Sequence, residues 1–245
     1  MKLLEFPHSH FCEKARWALD YKKVSYEPLA VMPGLHMKTI RRYAPGTSVP
    51  VLLTGDEVVQ GSSEIIDYLE KKITDRPLTP SDPADCQDCL EIERTMDKRL
   101  GENIRQILYS RLLAYPAFIR HCFTHPMPWW KQMLFRPIFP VLRSKMYQIY
   151  VKSPESVESA RAEFDAAMAE LEEKLSNKEY LVGSQFTRAD VSVASMLSLL
   201  VMPPEHPFPW QDIPDSETKV FLHEYRHHPV ADWVGVIYRN HRFDS

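Results

Sequence analysis

Leu3-Leu4-Glu5-Phe6-Pro7-His8-Ser9-His10-Phe11-Cys12-Glu13-Lys14-Ala15-Arg16-Trp17-Ala18-Leu19 is the stretch on which the reading of this 245-residue chain turns. The short, mostly apolar run Leu3 to Phe6 reads as a strand, and a Pro/His/Ser turn follows it. Helical spacing comes next, with Ala15, Leu19 and Val24 on one side and Trp17 and Ala18 beside them. Ser9 and Cys12 therefore fall where a strand hands over to a helix. The free N–H groups and positive dipole end of a helix start stabilise an anion, so a thiol placed there is expected to have a lowered pKa. Cys12 is thus a candidate reactive thiol or the neighbour of a bound one. The competing reading is a small buried side chain.

Two further stretches bear on that choice. In Gly46-Thr47-Ser48-Val49-Pro50-Val51-Leu52-Leu53 a proline opens an apolar strand, where its missing N–H is tolerated. The Val49–Pro50 bond is a candidate for the cis form, which would leave the Val49 amide and carbonyl free to pair with an extended peptide ligand. Downstream, Asp56 and Glu57 mark a turn, Val58 to Gln60 a short strand, and Gly61-Ser62-Ser63-Glu64 a helix start that either serine could cap, with Ile65, Ile66 and Leu69 as its apolar stripe. A second helix N-terminus beside the first is a natural seat for a carboxylate.

Four motifs in order carry a resemblance: Ser9 to Arg16, Ala44 to Leu52, Gly61 to Leu69, and Tyr180-Leu181-Val182-Gly183-Ser184-Gln185-Phe186-Thr187-Arg188-Ala189-Asp190-Val191, in which Thr187 and Asp190 have capping-box spacing. Over nearly its whole length the chain resembles the glutathione S-transferase superfamily of the cytosolic type, and is similar to its cysteine- or serine-type bacterial members. The resemblance implies an α/β thioredoxin-like N-terminal domain at residues 1–75, a linker at 76–83, and an all-α helical C-terminal domain at 84–245. It implies glutathione as co-substrate, a small-molecule acceptor, a homodimer, and a role in detoxification.

The resemblance also assigns residues. Ser9 matches the place of the hydroxyl that donates to the glutathione thiolate in serine-type members. Cys12 matches the nucleophilic thiol of cysteine-type members, with Ala15 where a resolving cysteine would stand. Ser9 implies conjugation of glutathione to an electrophile; Cys12 implies thiol transfer on a mixed disulfide and is slightly favoured, because His10, Lys14 and Arg16 lie nearby. Phe11, His36, Thr47, Val49, Pro50, Ser62 and Ser63 are the implied glutathione contacts. Gly61 departs from the many relatives that carry an acidic residue there, and Gln60 or Glu64 are the substitutes considered. The alternative function is a non-catalytic, transferase-like binding or regulatory protein.

Composition fits a globular protein: 44% hydrophobic, 26% charged and a net charge of −3, which gives no reason to expect nucleic acid. No apolar run reaches the ~20 residues a membrane span needs. The N-terminus has one Lys and no long apolar region, so it reads as lacking a secretory signal, and four cysteines then point to a reducing, cytoplasmic setting. Thr74 to Pro83 is a proline-punctuated linker. Cys86-Gln87-Asp88-Cys89 lacks further ligands at metal spacing, so no metal is expected.

Beyond the linker the period is helical: Leu90 to Tyr115 with a costly Gly101, Glu155 to Leu175, an almost wholly apolar Ala189 to Met202, and two short helices around 217–226 and 229–238. Residues 103–153 hold eight Lys/Arg and no Asp or Glu, with interleaved aromatics and prolines. Within a transferase-like fold this segment would wall an acceptor pocket through Trp129, Trp130 and Phe135. The other readings are a peripheral membrane patch and an insertion packed on the helices.

Overall fold

The computed structural model describes residues 1–243. β1 (Lys2–Glu5) opens the chain one residue earlier than the apolar run suggests and buries Leu3 and Leu4. α1 (His10–Tyr21) follows, then β2 (Glu27–Ala30) and α2 (His36–Ile40), then β3 (Val51–Leu53), β4 (Val58–Gln60) and α3 (Ser62–Lys72). The sheet order is β2-β1-β3-β4, with β1 parallel to β2 and the other two pairings antiparallel. Leu3 pairs with Pro28 on one side and Leu52 on the other. Pro28 is tolerated because β2 is an edge strand, where its missing donor breaks no ladder. The sequence reading had not located β2 or α2. Both are short, and neither carries a strong apolar period.

From residue 83 onward every regular element is helical: α4 (Pro83–Met96), α5 (Asn103–Leu112), α6 (Pro116–Thr124), α7 (Trp129–Phe135), α8 (Phe139–Met146), α9 (Pro154–Lys174), α10 (Arg188–Val201), α11 (Ser216–Arg226) and α12 (Pro229–His241). Asp82 caps α4, with Pro83 in its first turn, where a missing N–H costs nothing. The single helix expected over Leu90 to Tyr115 is instead α4 and α5 joined by a π-helical turn, Asp97–Glu102, which contains Gly101. α10 is buried along almost its whole length, as its all-round apolar sequence requires. Its capping box forms. The Asp190 carboxylate accepts from the Thr187 amide and hydroxyl, each at 2.8 Å, and from the Leu181 amide at 2.8 Å.

One continuous core runs from Leu3, Trp17 and Ile65 into Ile92, Leu100, Met196 and Leu200, so the sheet and the helical bundle share their interior. α1 packs on α10, and a buried ionic lattice crosses the same seam. Lys14 lies 2.7 Å from Glu93 and 2.5 Å from Asp97, Arg188 lies 2.6 Å from both Glu93 and Asp67, and Ser192 donates to Asp97. Each charge has a partner, which is the condition for burying it. No described helix is long and apolar enough to cross a membrane.

Candidate functional site

Ser9 is the N-cap of α1, with extended backbone, and its Oγ accepts from the Cys12 amide at 3.4 Å. A hydroxyl that accepts through a lone pair keeps its own proton to give. Ser9 is among the residues that line a cavity of about 480 Å³.

Cys12 is placed differently. Its side chain is fully buried, and Sγ accepts from the Phe6 amide at 3.5 Å under the β1–α1 turn. Burial pushes its pKa up to about 12, with the Glu5 carboxylate adding to the effect. The expectation of a lowered pKa is thereby overturned. The helix end does not offset the cost of burying a thiolate here, and the amide of Cys12 is already spent on Ser9. Nor are the expected helpers available. Lys14 is held by Glu93 and Asp97, and Arg16 by Glu13 at 2.9 Å and by Glu5. Burial lowers the pKa of His10 to about 3, and its Nε2 bonds Gly101 O at 2.9 Å, so it is a neutral tether.

Of the residues assigned to glutathione, Phe11, His36, Thr47 and Val49 line the cavity, whereas Pro50, Ser62 and Ser63 do not. The Val49–Pro50 peptide is cis, and among the described residues no hydrogen bond engages the Val49 amide or carbonyl. Burial lowers the pKa of His36, which therefore enters the wall as neutral imidazole. The residue capping α3 is Gly61, at φ +111°, and neither serine caps the helix. Gly is suited to that conformation because it lacks a Cβ. Ser62 is the first helical residue and is buried, while Ser63 accepts from Lys14 at 3.0 Å.

The two residues considered as acidic substitutes separate cleanly. Gln60 is occupied, accepting from the Gly46 amide at 3.2 Å and donating to Ser48 O at 2.9 Å. The exposed Glu64 folds its carboxylate over Gly61, into the space a side chain at position 61 would enter.

The acceptor walls are not those expected. Trp129 and Trp130 are 72% and 48% exposed and face away from the cavity, and Phe135 is fully buried against Phe139, with ring centroids 5.8 Å apart. Sequence composition marks a segment as apolar but not which way its faces turn. The walls come instead from α5 and α8, among them Leu108, Tyr109, Leu112 and Leu142. The i, i+3, i+4, i+7 spacing of Arg105, Leu108, Tyr109 and Leu112 on one face of α5 is the signal that could have found them. Among the described residues no Asp or Glu lines the cavity, which carries the cations Arg105 and Lys145. Arg105 lies over the rings of Tyr150 at 4.7 Å and Phe11 at 5.8 Å.

The π-helical turn shapes this wall. A Cβ on Gly101 would collide with Met196 Sδ and come within 3.0 Å of the Phe11 ring, so α4–α5 can approach Phe11 only because position 101 has no side chain. Such turns inside helices are frequent at functional sites. Burial raises the pKa of Cys89 on α4 to about 11 and of Cys122 on α6 to about 12; Cys122 is among the cavity's lining residues and Cys89 is not. Among the described residues no group of three His, Cys, Asp or Glu is arranged to hold a metal ion.

Comparison with known proteins agrees with this geometry. Residues 3–77 match the family described as glutathione S-transferase, N-terminal domain, and residues 154–218 match glutathione S-transferase, C-terminal domain. The chain is 26% identical over 211 residues to glutathione S-transferase TCHQD of Arabidopsis thaliana, covering 82% of this chain and 77% of that one. It is 35% identical over 118 residues to a maleylpyruvate isomerase of a Ralstonia species, covering 47% of this chain and about half of the relative, 54%. A glutathione S-transferase of Methylobacillus flagellatus, solved with glutathione bound, superposes with a TM-score of 0.66 at 15% identity, over 96% of this chain and 92% of that one, a likeness of fold. With both halves matched in order and the mixed sheet continuing into the helical bundle, the chain belongs to the glutathione S-transferase superfamily.

Proposed function

We propose that this protein is a glutathione-dependent transferase of the serine type, joining the thiolate of bound glutathione to a small apolar electrophile. The observation that carries the reading is the contrast at the start of α1. Ser9 lines the cavity and its Oγ accepts from the Cys12 amide, while the Cys12 side chain is fully buried.

In this reading the glutathione cysteinyl unit pairs with the open backbone of Val49, and the γ-glutamyl end lies at the start of α3. There the helix N-terminus and Ser62 meet its carboxylate and Glu64 meets its amine. Ser9 donates to the sulfur and so stabilises the thiolate over the thiol. The acceptor occupies the apolar cavity. Arg105 and Lys145, with no acid beside them on the wall, favour acceptors on which negative charge builds as the carbon–sulfur bond forms. Thiol transfer on mixed disulfides is disfavoured, because burial pushes the pKa of both Cys12 and the cavity-lining Cys122 up to about 12. The domain limits 1–75 and 84–245, the homodimer, the cytoplasmic setting and a detoxifying role enter as parts of the same proposal.

Calorimetric titration with glutathione, then turnover with an activated aryl halide and with a mixed glutathione disulfide, tests it. Binding and aryl-halide conjugation are expected without disulfide reduction. A Glu64→Gln variant should raise KM for glutathione by roughly tenfold or more with kcat retained, the effect of removing one charged partner. Disulfide reduction outpacing conjugation would refute the serine-type assignment, and absence of glutathione binding would favour the non-catalytic alternative.

A further inference from the structure

The acid-free segment that the cavity only partly absorbs has a surface of its own. α7 has seven residues, and six of them, Trp129 to Leu134, are exposed. Phe135 and, across the corner, Phe139 anchor this unit: they pack on each other, and Phe139 meets Phe123. α8 and the π-helical turn Tyr147–Val151 continue the surface with Val141 at 62% and Ile149 at 59% exposed. Among the described residues, seven of the chain's sixteen exposed large apolar side chains fall between positions 129 and 149. A soluble protein does not ordinarily gather its apolar exposure in this way unless something covers it.

Charge identifies what covers it. Lys131, Arg136, Arg143 and Lys145 are exposed among these apolar groups, and none of them has a carboxylate within ion-pairing distance among the described residues. Residues 103–153 contain no acid at all, while the rest of the chain carries 22 Lys/Arg against 33 Asp/Glu. Exclusion of acid from 51 consecutive residues of a net acidic protein suits a negatively charged counter-surface. A second copy of the chain fits poorly. A two-fold contact brings a face against itself, so it would set Lys131 and Arg136 against the same cations of the other copy. Tryptophans beside lysine and arginine on a short exposed helix are instead what the headgroup layer of a bilayer accommodates. The rings lie at the acyl boundary and the cations at the phosphates.

We propose that the face formed by α7 and α8 docks this protein on an anionic phospholipid bilayer, with Trp129, Trp130, Met133 and Leu134 entering the interface and Lys131 and Arg136 meeting the phosphates. This does not depend on the catalytic assignment, since none of these six residues lines the cavity.

The test is co-sedimentation of the full chain with large vesicles of phosphatidylglycerol and phosphatidylcholine, against phosphatidylcholine alone. The protein should pellet with the anionic vesicles, be released as salt is raised, and stay in solution with neutral ones. Two variants, Trp129→Ser with Trp130→Ser and Lys131→Glu with Arg136→Glu, alter only exposed side chains and should keep wild-type circular dichroism. Each should weaken binding at least about tenfold, since every surface cation and buried ring contributes separately. No pelleting with anionic vesicles overturns the proposal, as does pelleting that both variants leave unchanged. A lipid-free change from dimer to monomer in the tryptophan variant would also overturn it, by assigning the face to a second copy.

Discussion

Replacing Ser9 separates the two roles the structure gives it. Its hydroxyl oxygen accepts from the Cys12 amide as the cap of α1, and the residue lines the cavity, where the proposed function has the hydroxyl donate to the glutathione sulfur. In Ser9→Ala the cap is lost, at a cost of about 1 kcal/mol of stability. The donor to the thiolate is lost too, and a hydrogen bond to a charged group contributes about 1.5–3 kcal/mol. At 1.36 kcal/mol per tenfold, kcat/KM for conjugation should fall roughly 10- to 150-fold near neutral pH. The same energy raises the pKa of bound glutathione thiol by about one to two units. The deficit should therefore shrink as pH rises, because alkali makes the thiolate without help.

Ser9→Gly is the control, since glycine at an N-cap costs only a few tenths of a kcal/mol relative to serine. It should lose activity like the alanine variant while unfolding close to wild type. The assay is a pH series of kcat/KM with an aryl halide, beside urea unfolding of each variant. If both Ser9 variants keep kcat/KM while Cys12→Ala abolishes it, the assignment of the sulfur-facing group is wrong. If all three variants lose activity but the pH profile stays in place, Ser9 acts through helix placement alone.

Gly101→Ala should cost about 1–3 kcal/mol in urea unfolding, because the added methyl meets Met196 and the Phe11 ring in a filled interior. It should also raise KM for the acceptor as Phe11 is displaced, and an unchanged unfolding midpoint would contradict the close approach described. Acid should destabilise the fold before most carboxylates titrate. Burial holds the folded-state pKa of His8 and His206 at about 4 and of His10 at about 3, below their unfolded value. Between those values and roughly pH 6.5 the unfolded chain binds protons that the native state refuses, so stability is full above that pH and falls as pH drops. Each histidine removes up to about 1.4 kcal/mol per pH unit. Burial alone would raise the pKa of Glu13, but His206 at 3.8 Å, Arg242 and Arg16 outweigh it and hold it at about 2, so Glu13 stays charged across this window. Urea midpoints at a few pH values between neutral and about pH 5 read this directly, and a flat series would refute it.

What the residue pattern revealed was local. The strand-to-helix handover before Ser9, the Thr187–Asp190 capping box and the all-apolar α10 each follow from short-range rules of spacing and capping. What it hid was rotational. Whether Cys12 or Ser9 meets the cavity depends on how α1 is turned against α10, and that is settled by Trp17, Lys14 and partners far along the chain. The same limit misplaced Trp129 and Trp130. A helix with apolar residues on every side gives no clue to which of them faces inward, and the cavity was walled instead by α5, whose one-sided spacing did carry that information.

The Lys14–Glu93–Arg188–Asp67 lattice has a consequence for how the protein can be divided. Lys14 and Asp67 belong to the sheet-bearing half and Glu93, Asp97 and Arg188 to the helical one, so cutting at the linker would part the buried Lys14 ammonium from both of its carboxylates and leave Arg188 with Glu93 alone. Neither piece would then be a free-standing module. A chimera that borrows the first 75 residues from another superfamily member should fold only if Glu93, Asp97 and Arg188 are exchanged with them, making this ionic seam, and not the proline-rich connection, the true unit of inheritance.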